Sequence, residues 1–299
     1  MNVLVTGAAG QLGRHLLAGP LAAQTEVVSS ARSTGDYPCD LGDEAAVAGL
    51  LETVNPSIIV NAAAYTAVDA AEDDPEGADR LNHQLPAWLS AWCVQNGALL
   101  IHYSTDYVFS GQAARPWRED DPTAPQSVYG ASKLAGEQAI LSSAAQAWIV
   151  RTAWVYSACP GNFLSAILAR AAQGQDLRVV DDQVGSPTWA GTLAAATGSL
   201  LDARTQRPDR PRTLHVSGRG QASWYNFAEM AVTMAAARGL IKRKVAVQPI
   251  SSAEWPQKAS RPAWSVLDCR RYENLTGHPL PEIAAGLGDC LDNWNNAPC

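Results

Sequence analysis

The chain has 299 residues, of which 47% are hydrophobic and 17% are charged, a composition typical of folded globular proteins rather than disordered chains. Its 22 Lys and Arg against 29 Asp and Glu give a formal net charge of -7. An acidic chain has no general field that attracts nucleic acid or an anionic membrane, so we expect neither as a partner. At about 150 residues per domain, the length predicts roughly two domains.

No segment has the basic and apolar regions of a signal peptide, and no apolar run approaches the ~18 residues of a membrane span. The cysteines at positions 39, 93, 159, 269, 290 and 299 are scattered and form no Cys-x-x-Cys pair. A zinc site or redox motif is therefore not indicated. We expect a cytoplasmic protein whose thiols are reduced and mostly buried.

Strands and helices alternate through the first half of the chain. Short β-branched runs predict strands at 3–6, 26–29, 57–61, 99–104 and 148–152, and helical periodicity covers 11–17, 44–54, 78–95 and 131–141. Because parallel strands need long crossovers, this alternation predicts an α/β fold with a Rossmann-type doubly wound parallel sheet. We assign residues 1–152 to a dinucleotide-binding domain.

The second half is less regular. Pro and Gly cluster at 159–161, 185–187 and 207–211, whereas helices are predicted at 162–172, 191–202, 224–237 and 282–294. Residues 153–299 are expected to form a smaller, mainly α-helical substrate-binding domain, with the chain returning to the sheet in places. A ligand cleft is expected between the two parts.

A glycine loop follows the first strand. Gly7, Gly10 and Gly13 form a G-x-x-G-x-x-G pattern between the first strand and the first helix. Glycines let the backbone approach a pyrophosphate, and the free N–H groups of the helix attract it. In this βαβ context the loop predicts dinucleotide binding rather than a structural turn alone.

The end of the second strand should select the cofactor. A carboxylate there would bind the ribose of NAD, whereas an arginine would accommodate the 2′-phosphate of NADP. The sequence offers Ser29-Ser30-Ala31-Arg32-Ser33 and no carboxylate at the strand tip. We expect NADPH, with NADH as an alternative donor, and Arg32 at the phosphate; the competing interpretation is that Arg32 is a solvated surface charge.

Tyr129 and Lys133 lie four residues apart at the start of a helix, so both occupy one helical face. A lysine ammonium one turn away should lower the pKa of the phenol and make it a better proton shuttle. Ser104 or Thr105, at the end of the fourth strand, could then hydrogen-bond a substrate carbonyl. The small residues after Asn61 would let a dinucleotide lie close to the backbone.

These motifs, in this order, resemble the extended short-chain dehydrogenase/reductases. The segments 60–69, 102–109, 151–156, 182–188 and 259–262 are similar, more narrowly, to the dTDP-4-dehydrorhamnose reductase family. The resemblance runs over essentially the whole chain. It implies NADPH-dependent reduction of the 4-keto group of dTDP-4-dehydro-β-L-rhamnose to dTDP-L-rhamnose, a sugar nucleotide of lipopolysaccharide O-antigen biosynthesis.

The resemblance also implies roles for single residues. Tyr129 would be the general acid, Lys133 would orient the nicotinamide ribose and Thr105 would polarise the keto oxygen. The positions expected at the cofactor are Gly7, Gly10, Gln11, Leu12, Arg32, Asp40, Leu41, Ala62, Ala64, Tyr65, Thr66, Tyr103, Tyr129 and Lys133. Those expected at the sugar nucleotide are Val68, Asp69, Thr105, Asp106 and Trp154, the last of which could equally be an ordinary core residue.

The sequence departs from the family at the magnesium-bridged dimer contact. Arg14-His15 stands in the first helix, and Trp189-Ala190-Gly191 stands where another carboxylate is expected. We therefore expect no metal site and a monomer or weak homodimer. Relatives that use Mg²⁺ do so through carboxylates that are absent at these positions.

Two other functions remain open. A nucleotide-sugar 4,6-dehydratase or epimerase shares the fold, but dehydratases carry Glu after the Thr-Asp pair, where this chain has Tyr107. A non-catalytic NADP-binding regulatory subunit is the second alternative. The presence of Thr105, Tyr129 and Lys133 together disfavours this alternative, because a protein without catalytic activity would not need these three side chains.

Overall fold

The computed structural model describes residues 2–19, 26–202 and 212–299. The predicted loop at 207–211 lies outside these residues. In the first half the strands are β1 (Asn2–Thr6), β2 (Glu26–Ser30), β3 (Ile58–Asn61), β4 (Leu99–Thr105) and β5 (Gln146–Thr152), and the helices are α1 (Gln11–Ala18), α2 (Glu44–Val54), α3 (Val68–Ala71), α4 (Pro75–Asp79), α5 (Leu85–Asn96) and α6 (Val128–Leu141).

The second half contributes shorter strands and a group of helices. Its strands are β6 (Val155–Tyr156), β7 (Leu177–Val180), β8 (Val184–Gly185), β9 (Thr188–Trp189), β10 (Arg212–His215), β11 (Ala222–Ser223) and β12 (Val247–Ile250). Its helices are α7 (Phe163–Ala172), α8 (Ala190–Asp202), α9 (Trp224–Ala237), α10 (Arg270–Thr276) and α11 (Ile283–Asp292). Among the described residues, no helix is both long and apolar enough to cross a membrane.

Six parallel strands form the central sheet in the order β10-β5-β4-β3-β1-β2. This confirms the predicted Rossmann-type doubly wound fold. β10 comes from the second half of the chain and pairs with β5, so the sheet includes residues beyond position 152. The division into domains at that position stays a prediction.

Apolar side chains cover both faces of the sheet. Leu16 of α1 and Leu193 of α8 pack on one face, together with Val5 and Ile101 of the strands. The other face is covered by α2 and α5. Strands that are buried on both faces need an almost continuous apolar sequence, which explains runs such as 58–60 and 99–101.

The helix predicted over 78–95 is interrupted by a π-helical turn at Arg80–Gln84. The turn brings the Asn82 amide to the backbone N–H and carbonyl of Tyr65, at 2.9 and 3.0 Å, and to Ser132 Oγ at 3.0 Å. A Cβ at Gly136 of α6 would lie 2.1 Å from the Asn82 carbonyl oxygen, so glycine permits the close contact. The interruption therefore fixes the segment after β3 against α6.

A second lobe packs beside the carboxyl edge of the sheet. The parallel pair β7–β12 and the helices α7, α9 and α11 enclose a hydrophobic core of their own. Its members include Leu164, Leu177, Phe227 and Leu287. This arrangement places a cleft between the lobe and the ends of β1, β3, β4 and β5.

Candidate active site

The glycine loop is packed tightly against the backbone after β3. Gly7 has a φ of +73°, and a Cβ at this position would lie 2.5 Å from the Ala63 backbone nitrogen. A Cβ at Gly13 would lie 2.3 Å from the Gly7 carbonyl oxygen. Gly10 precedes α1, and no side chain of the described residues caps the helix. The first-turn N–H groups thus remain available to an anion such as a pyrophosphate.

The other predicted cofactor residues lie along the same edge of the sheet. Gln11 accepts a hydrogen bond of 2.8 Å from Ser157 Oγ, which joins the glycine loop to the second lobe. Asp40 accepts a bond from the Gly42 N–H just before α2, and Leu41 is buried. The remaining positions are Leu12, Ala62, Ala64 and Tyr65, which are half-buried, and Thr66, which is exposed.

The side chains around the end of β2 differ from those that the sequence predicts there. Arg32 is exposed directly after the strand. However, the Asp36 carboxylate folds back to accept bonds from the Ser29 N–H at 2.8 Å and from Ser29 Oγ at 2.7 Å. The expectation of no carboxylate beside this strand end is therefore wrong, because a turn at Gly35 returns the chain to the strand edge. These bonds hold the pKa of Asp36 below its usual value.

The first two turns of α6 carry Tyr129 and Lys133. Ser127 caps this helix by accepting the Gly130 N–H, and a Cβ at Gly130 would lie 2.4 Å from the Tyr107 carbonyl oxygen. The helix is thereby held against the segment that follows β4. In that segment Thr105 Oγ1 donates to Asp106 Oδ1 at 3.0 Å, so the predicted hydroxyl and phenol are brought together.

Burial dominates the acidity of the Tyr129 phenol. It raises the pKa of Tyr129 well above its ordinary value, and the neighbouring Thr105 hydroxyl only partly offsets this. The expectation that Lys133 lowers this pKa is wrong for this structure. Lys133 Nζ instead donates to the Tyr103 carbonyl oxygen at 2.6 Å. Tyr129 is thus held as a neutral phenol, the form that can donate a proton.

Lys133 is itself almost completely buried, with 2% of its surface exposed. Removal from water disfavours the ammonium form and lowers the pKa of Lys133 to about 8, although the charge of Glu137 opposes the shift. The Tyr103 side chain, predicted at the cofactor, turns away from the site and hydrogen-bonds Thr197 of α8. Only its backbone carbonyl reaches Lys133.

A cavity of about 600 Å³ opens between the strand ends and the second lobe. Of the predicted residues, those that line it are Gln11, Thr66, Val68, Thr105, Asp106, Tyr129 and Trp154. The other predicted positions lie outside its lining. Burial raises the pKa of Asp106 to about 6, and its Oδ2 has no hydrogen-bond partner among the described residues. Ser104 Oγ and Thr152 Oγ1 are likewise buried and have no hydrogen-bond partner among the described residues.

Two indole rings form one wall of this cavity. Trp154 stacks on Trp224 with ring centroids 3.5 Å apart and planes 1° apart. Trp154 has a φ of +48°, an unusual backbone conformation for a bulky residue. A Cβ at Gly185 would lie 2.6 Å from the Trp154 ring. The prediction of a flat aromatic at the site is consistent with this position, but Trp224 covers one of its faces.

Asp69 is engaged in an ion pair. Its carboxylate accepts bonds from Arg261 Nη2 at 2.8 Å and from the Ala259 N–H at 3.0 Å. Arg261 also donates to the Tyr107 hydroxyl at 3.2 Å. The pair ties α3 to the C-terminal segment and closes one side of the cavity. Position 107 holds a phenol whose pKa burial raises to about 12, so this side chain also stays neutral at neutral pH.

Sequence reasoning missed the residues that the second lobe contributes. The cavity is lined on that side by Asn162, Arg170, Arg178, Gln183, Trp224 and Trp255. Arg178 pairs with Glu254 at 2.7 Å. Gln183 lies in the segment 182–188 that the sequence singles out, whereas no local motif distinguishes the other positions. Only their polar or aromatic character could have indicated them.

The expectation of reduced thiols is wrong for two cysteines. Cys159 and Cys299 form a disulfide with a Cα–Cα distance of 5.2 Å. The partners are 140 residues apart in sequence, and no spacing rule predicts such a pairing. The cysteines at 39, 93, 269 and 290 are buried and not disulfide-bonded. Cys159 lies in the loop after β6, close to the cavity residues 161–163.

The first helix and β9 meet through an aromatic contact. His15 is buried, and its ring lies edge-on to Trp189 at a centroid distance of 5.9 Å. Within the described residues, no group of three or more His, Cys, Asp or Glu side chains could hold a metal ion.

A doubly wound sheet, a glycine loop before an uncapped helix, and a half-buried Tyr129 with a buried Lys133 on one helical face define a nucleotide-binding oxidoreductase of the short-chain type. A family model described as the RmlD substrate binding domain matches residues 1–296. The chain belongs to this family.

Individual relatives agree over nearly the full length. The chain is 39% identical over 297 residues to a dTDP-4-dehydrorhamnose reductase of Burkholderia thailandensis, covering 97% of this chain and 98% of the relative. It is 35% identical over 292 residues to the dTDP-4-dehydrorhamnose reductase of Escherichia coli K12, covering 98% and 97%.

Solved structures are similar throughout the chain as well. The dTDP-4-dehydrorhamnose reductase of Bacillus anthracis, solved in complex with NADP, is 30% identical with a TM-score of 0.88 and covers 98% of this chain and 99% of its own. A UDP-glucose 4-epimerase of Thermus thermophilus, solved with NAD, is 21% identical with a TM-score of 0.81 and covers 99% and 100%. The latter likeness concerns the fold alone.

Proposed function

We propose that the protein reduces the 4-keto group of dTDP-4-dehydro-β-L-rhamnose with NADPH and releases dTDP-L-rhamnose. The observation that carries the proposal is the placement of Tyr129 and Thr105 together in the lining of a cavity that reaches Gln11 of the glycine loop. Family membership and the names of relatives at 35–39% identity support the substrate. The NADP complex of the Bacillus anthracis relative supports the cofactor.

The residues fit a dinucleotide. The space that a Cβ at Gly7 would need is occupied by the backbone of residues 62–63. The start of α1 presents N–H groups that no described side chain caps. Gly7, Gly10, Gln11 and Leu12 would hold the pyrophosphate, and Arg32 would face the 2′-phosphate. When bound, NADPH supplies the hydride.

The chain's own groups supply orientation and the proton. Thr105 Oγ1 lies at the strand end where it can polarise a keto oxygen, and Tyr129 can donate its phenolic proton to the oxygen that gains negative charge. Lys133, buried on the same helical face, would orient the ribose. Val68, Asp106 and Trp154 line the part of the cavity in which the sugar nucleotide would lie.

The test is NADPH oxidation with enzymatically prepared dTDP-4-dehydrorhamnose. We expect turnover by the wild type and a loss of about 10²–10⁴-fold in kcat for Tyr129→Phe, the range that a positioned general acid contributes. The control Tyr225→Phe removes a hydroxyl from α9, outside the cavity lining, and should retain activity. Absence of turnover by the wild type, or full turnover by Tyr129→Phe, would reject the proposal.

The assignment of Arg32 is tested by comparing NADPH and NADH. If Arg32 faces the 2′-phosphate, Arg32→Ala should weaken NADPH binding and leave NADH binding unchanged. Unchanged discrimination between the two cofactors would identify Arg32 as a solvated surface charge. Asp36→Asn is a useful companion, because Asp36 is the carboxylate that the structure places beside β2.

We further propose that the enzyme acts in the cytoplasm as a monomer or weak homodimer and needs no Mg²⁺. Two functional domains are proposed, a cofactor domain over 1–152 and a mainly substrate-binding domain over 153–299. Against an epimerase, which keeps its oxidised cofactor through each cycle, the purified protein should release cofactor freely on dialysis.

A further inference from the structure

A chain of buried polar side chains leads from β1 to Lys133. Thr6 Oγ1 donates to Asn61 Oδ1 at 2.8 Å, Asn61 Nδ2 lies 3.0 Å from His102 Nδ1, and His102 Nε2 lies 3.3 Å from Lys133 Nζ. Thr6, Asn61 and His102 are all fully buried. His102 has no role in the function proposed above, although it stands two residues before the strand end that carries Ser104 and Thr105.

The backbone fixes the orientation of the Asn61 amide. The Ala63 N–H donates to Asn61 Oδ1 at 3.2 Å, and an N–H cannot accept a hydrogen bond. The oxygen must therefore face Ala63, which turns the amide nitrogen toward His102. Nδ1 of His102 then has to accept a bond, so it carries no proton.

His102 is consequently a neutral imidazole with its proton on Nε2. Burial holds the pKa of His102 well below its ordinary value. Since Nδ1 is occupied as an acceptor, Nε2 must be the donor. The Nε2–H points at Lys133 Nζ.

This donor decides which form of Lys133 fits the site. An ammonium has donors only, whereas an amine has a lone pair that accepts the Nε2–H. Either form can donate to the Tyr103 carbonyl oxygen at 2.6 Å. The remaining charge near Lys133 is that of Glu137, one turn along α6, which favours the ammonium but is itself paired with Arg151 of β5.

We propose that His102 is a positioning residue: Asn61 holds its proton on Nε2, and that N–H favours the amine form of Lys133. The amine form of Lys133 is thereby more populated than it would be without the Nε2–H of His102. The link between this lysine and turnover rests on the proposed function. The protonation states themselves can be measured without turnover, so the two proposals fail separately.

The first test is the tautomer of His102 in the full-length, cofactor-free protein labelled with ¹⁵N-histidine. Two-bond ¹H–¹⁵N correlation spectra should show a neutral ring with the proton on Nε2, and this signal should disappear in His102→Gln. A ring protonated on Nδ1, or an imidazolium at neutral pH, would overturn the proposal. This measurement needs no variant to retain activity.

The second test follows the protonation of Lys133 with ¹³Cε-lysine labelling. The exposed Lys242, Lys244 and Lys258 give reference signals in the same spectra. Asn61→Asp places a carboxylate against Nδ1, which draws the His102 proton to that side and leaves Nε2 as an acceptor. The midpoint of Lys133 should then rise by about 1–2 pH units, as expected for a charge-assisted bond to an ammonium.

A double-mutant cycle separates the effect that His102 relays to Lys133 from the direct electrostatic effect of the new carboxylate on Lys133. In a His102→Gln background, Asn61→Asp should shift Lys133 by less than about 0.5 pH unit, because the imidazole that relays the change is gone. An equal rise in both backgrounds, or no rise in either, would overturn the proposal. The alkaline limb of the kcat–pH profile should move with the spectroscopic midpoint, which a merely structural role for His102 would not produce.

Discussion

The ion pair between Glu137 and Arg151 is the most deeply buried ion pair among the described residues, so its loss should be costly to stability. Arg151 Nε and Nη2 donate to the two Glu137 oxygens at 2.9 and 2.7 Å, and the side chains are 4% and 0% exposed. The Arg151 guanidinium also lies 5.0 Å from the centre of the Phe109 ring. Glu137→Gln keeps the shape but leaves a guanidinium buried without its counter-charge.

Breaking a buried pair in this way should lower the free energy of unfolding by about 3–5 kcal/mol. This is a large part of the ~5–15 kcal/mol that stabilises a typical domain. Urea denaturation followed by tryptophan fluorescence and circular dichroism would measure it. The matched control is Asp292→Asn, which breaks the Arg238–Asp292 pair whose side chains are 29% and 61% exposed; its midpoint should not move measurably.

Replacing both charged partners sharpens the test. Glu137→Leu combined with Arg151→Met should recover most of the loss, because the cost arises from the uncompensated charge rather than from the lost bonds. A loss below about 1 kcal/mol for Glu137→Gln, or a double variant no better than the single one, would refute the reasoning.

Three further outcomes are expected. Gly185→Ala should lower the free energy of unfolding by about 1–3 kcal/mol and weaken substrate binding, because the added Cβ would lie 2.6 Å from the Trp154 ring. The control is Gly49→Ala, whose Cβ would have no neighbour within 4 Å and which should be neutral or stabilising in the same thermal melt. Burial lowers the pKa of His215 to about 3. Below pH ~6.5 the unfolded chain therefore binds one more proton than the folded protein, so the free energy of unfolding decreases as the pH is lowered, by up to about 1.4 kcal/mol per pH unit. A His215→Asn variant whose free energy of unfolding depends on pH as in the wild type between pH 7 and 5 would contradict this. Chelation with EDTA should leave the sedimentation behaviour unchanged, and dissociation would reveal a metal-bridged dimer.

Much of the fold could be predicted because its signals are local. Apolar runs and helical periodicity located all the strands of the first half to within about two residues, and the alternation implied parallel pairing. The π-helical turn at Arg80–Gln84 could not be found this way. It depends on the Asn82 contacts with Tyr65 and Ser132, which lie far away in sequence.

In the candidate site, too, local features were predictable from the sequence and contacts between distant segments were not. The spacing of Tyr129 and Lys133 placed both side chains on one helical face, as the structure has them. The direction in which Lys133 Nζ points was not predictable, since it depends on the Tyr103 carbonyl and on His102 across the sheet. The expected lowering of the Tyr129 pKa was wrong for this reason, because burial outweighs a cation that is turned elsewhere.

The sequence by itself determined the doubly wound sheet, the glycine loop and the family, because each depends on short-range patterns of residue type and spacing. Only the tertiary structure decided the return of Asp36 to β2, the stacking of Trp154 on Trp224 and the Cys159–Cys299 pair. The protonation states of the buried side chains are likewise decided only by the tertiary structure. They depend on which side chains are removed from water together, and that is settled only when distant segments pack.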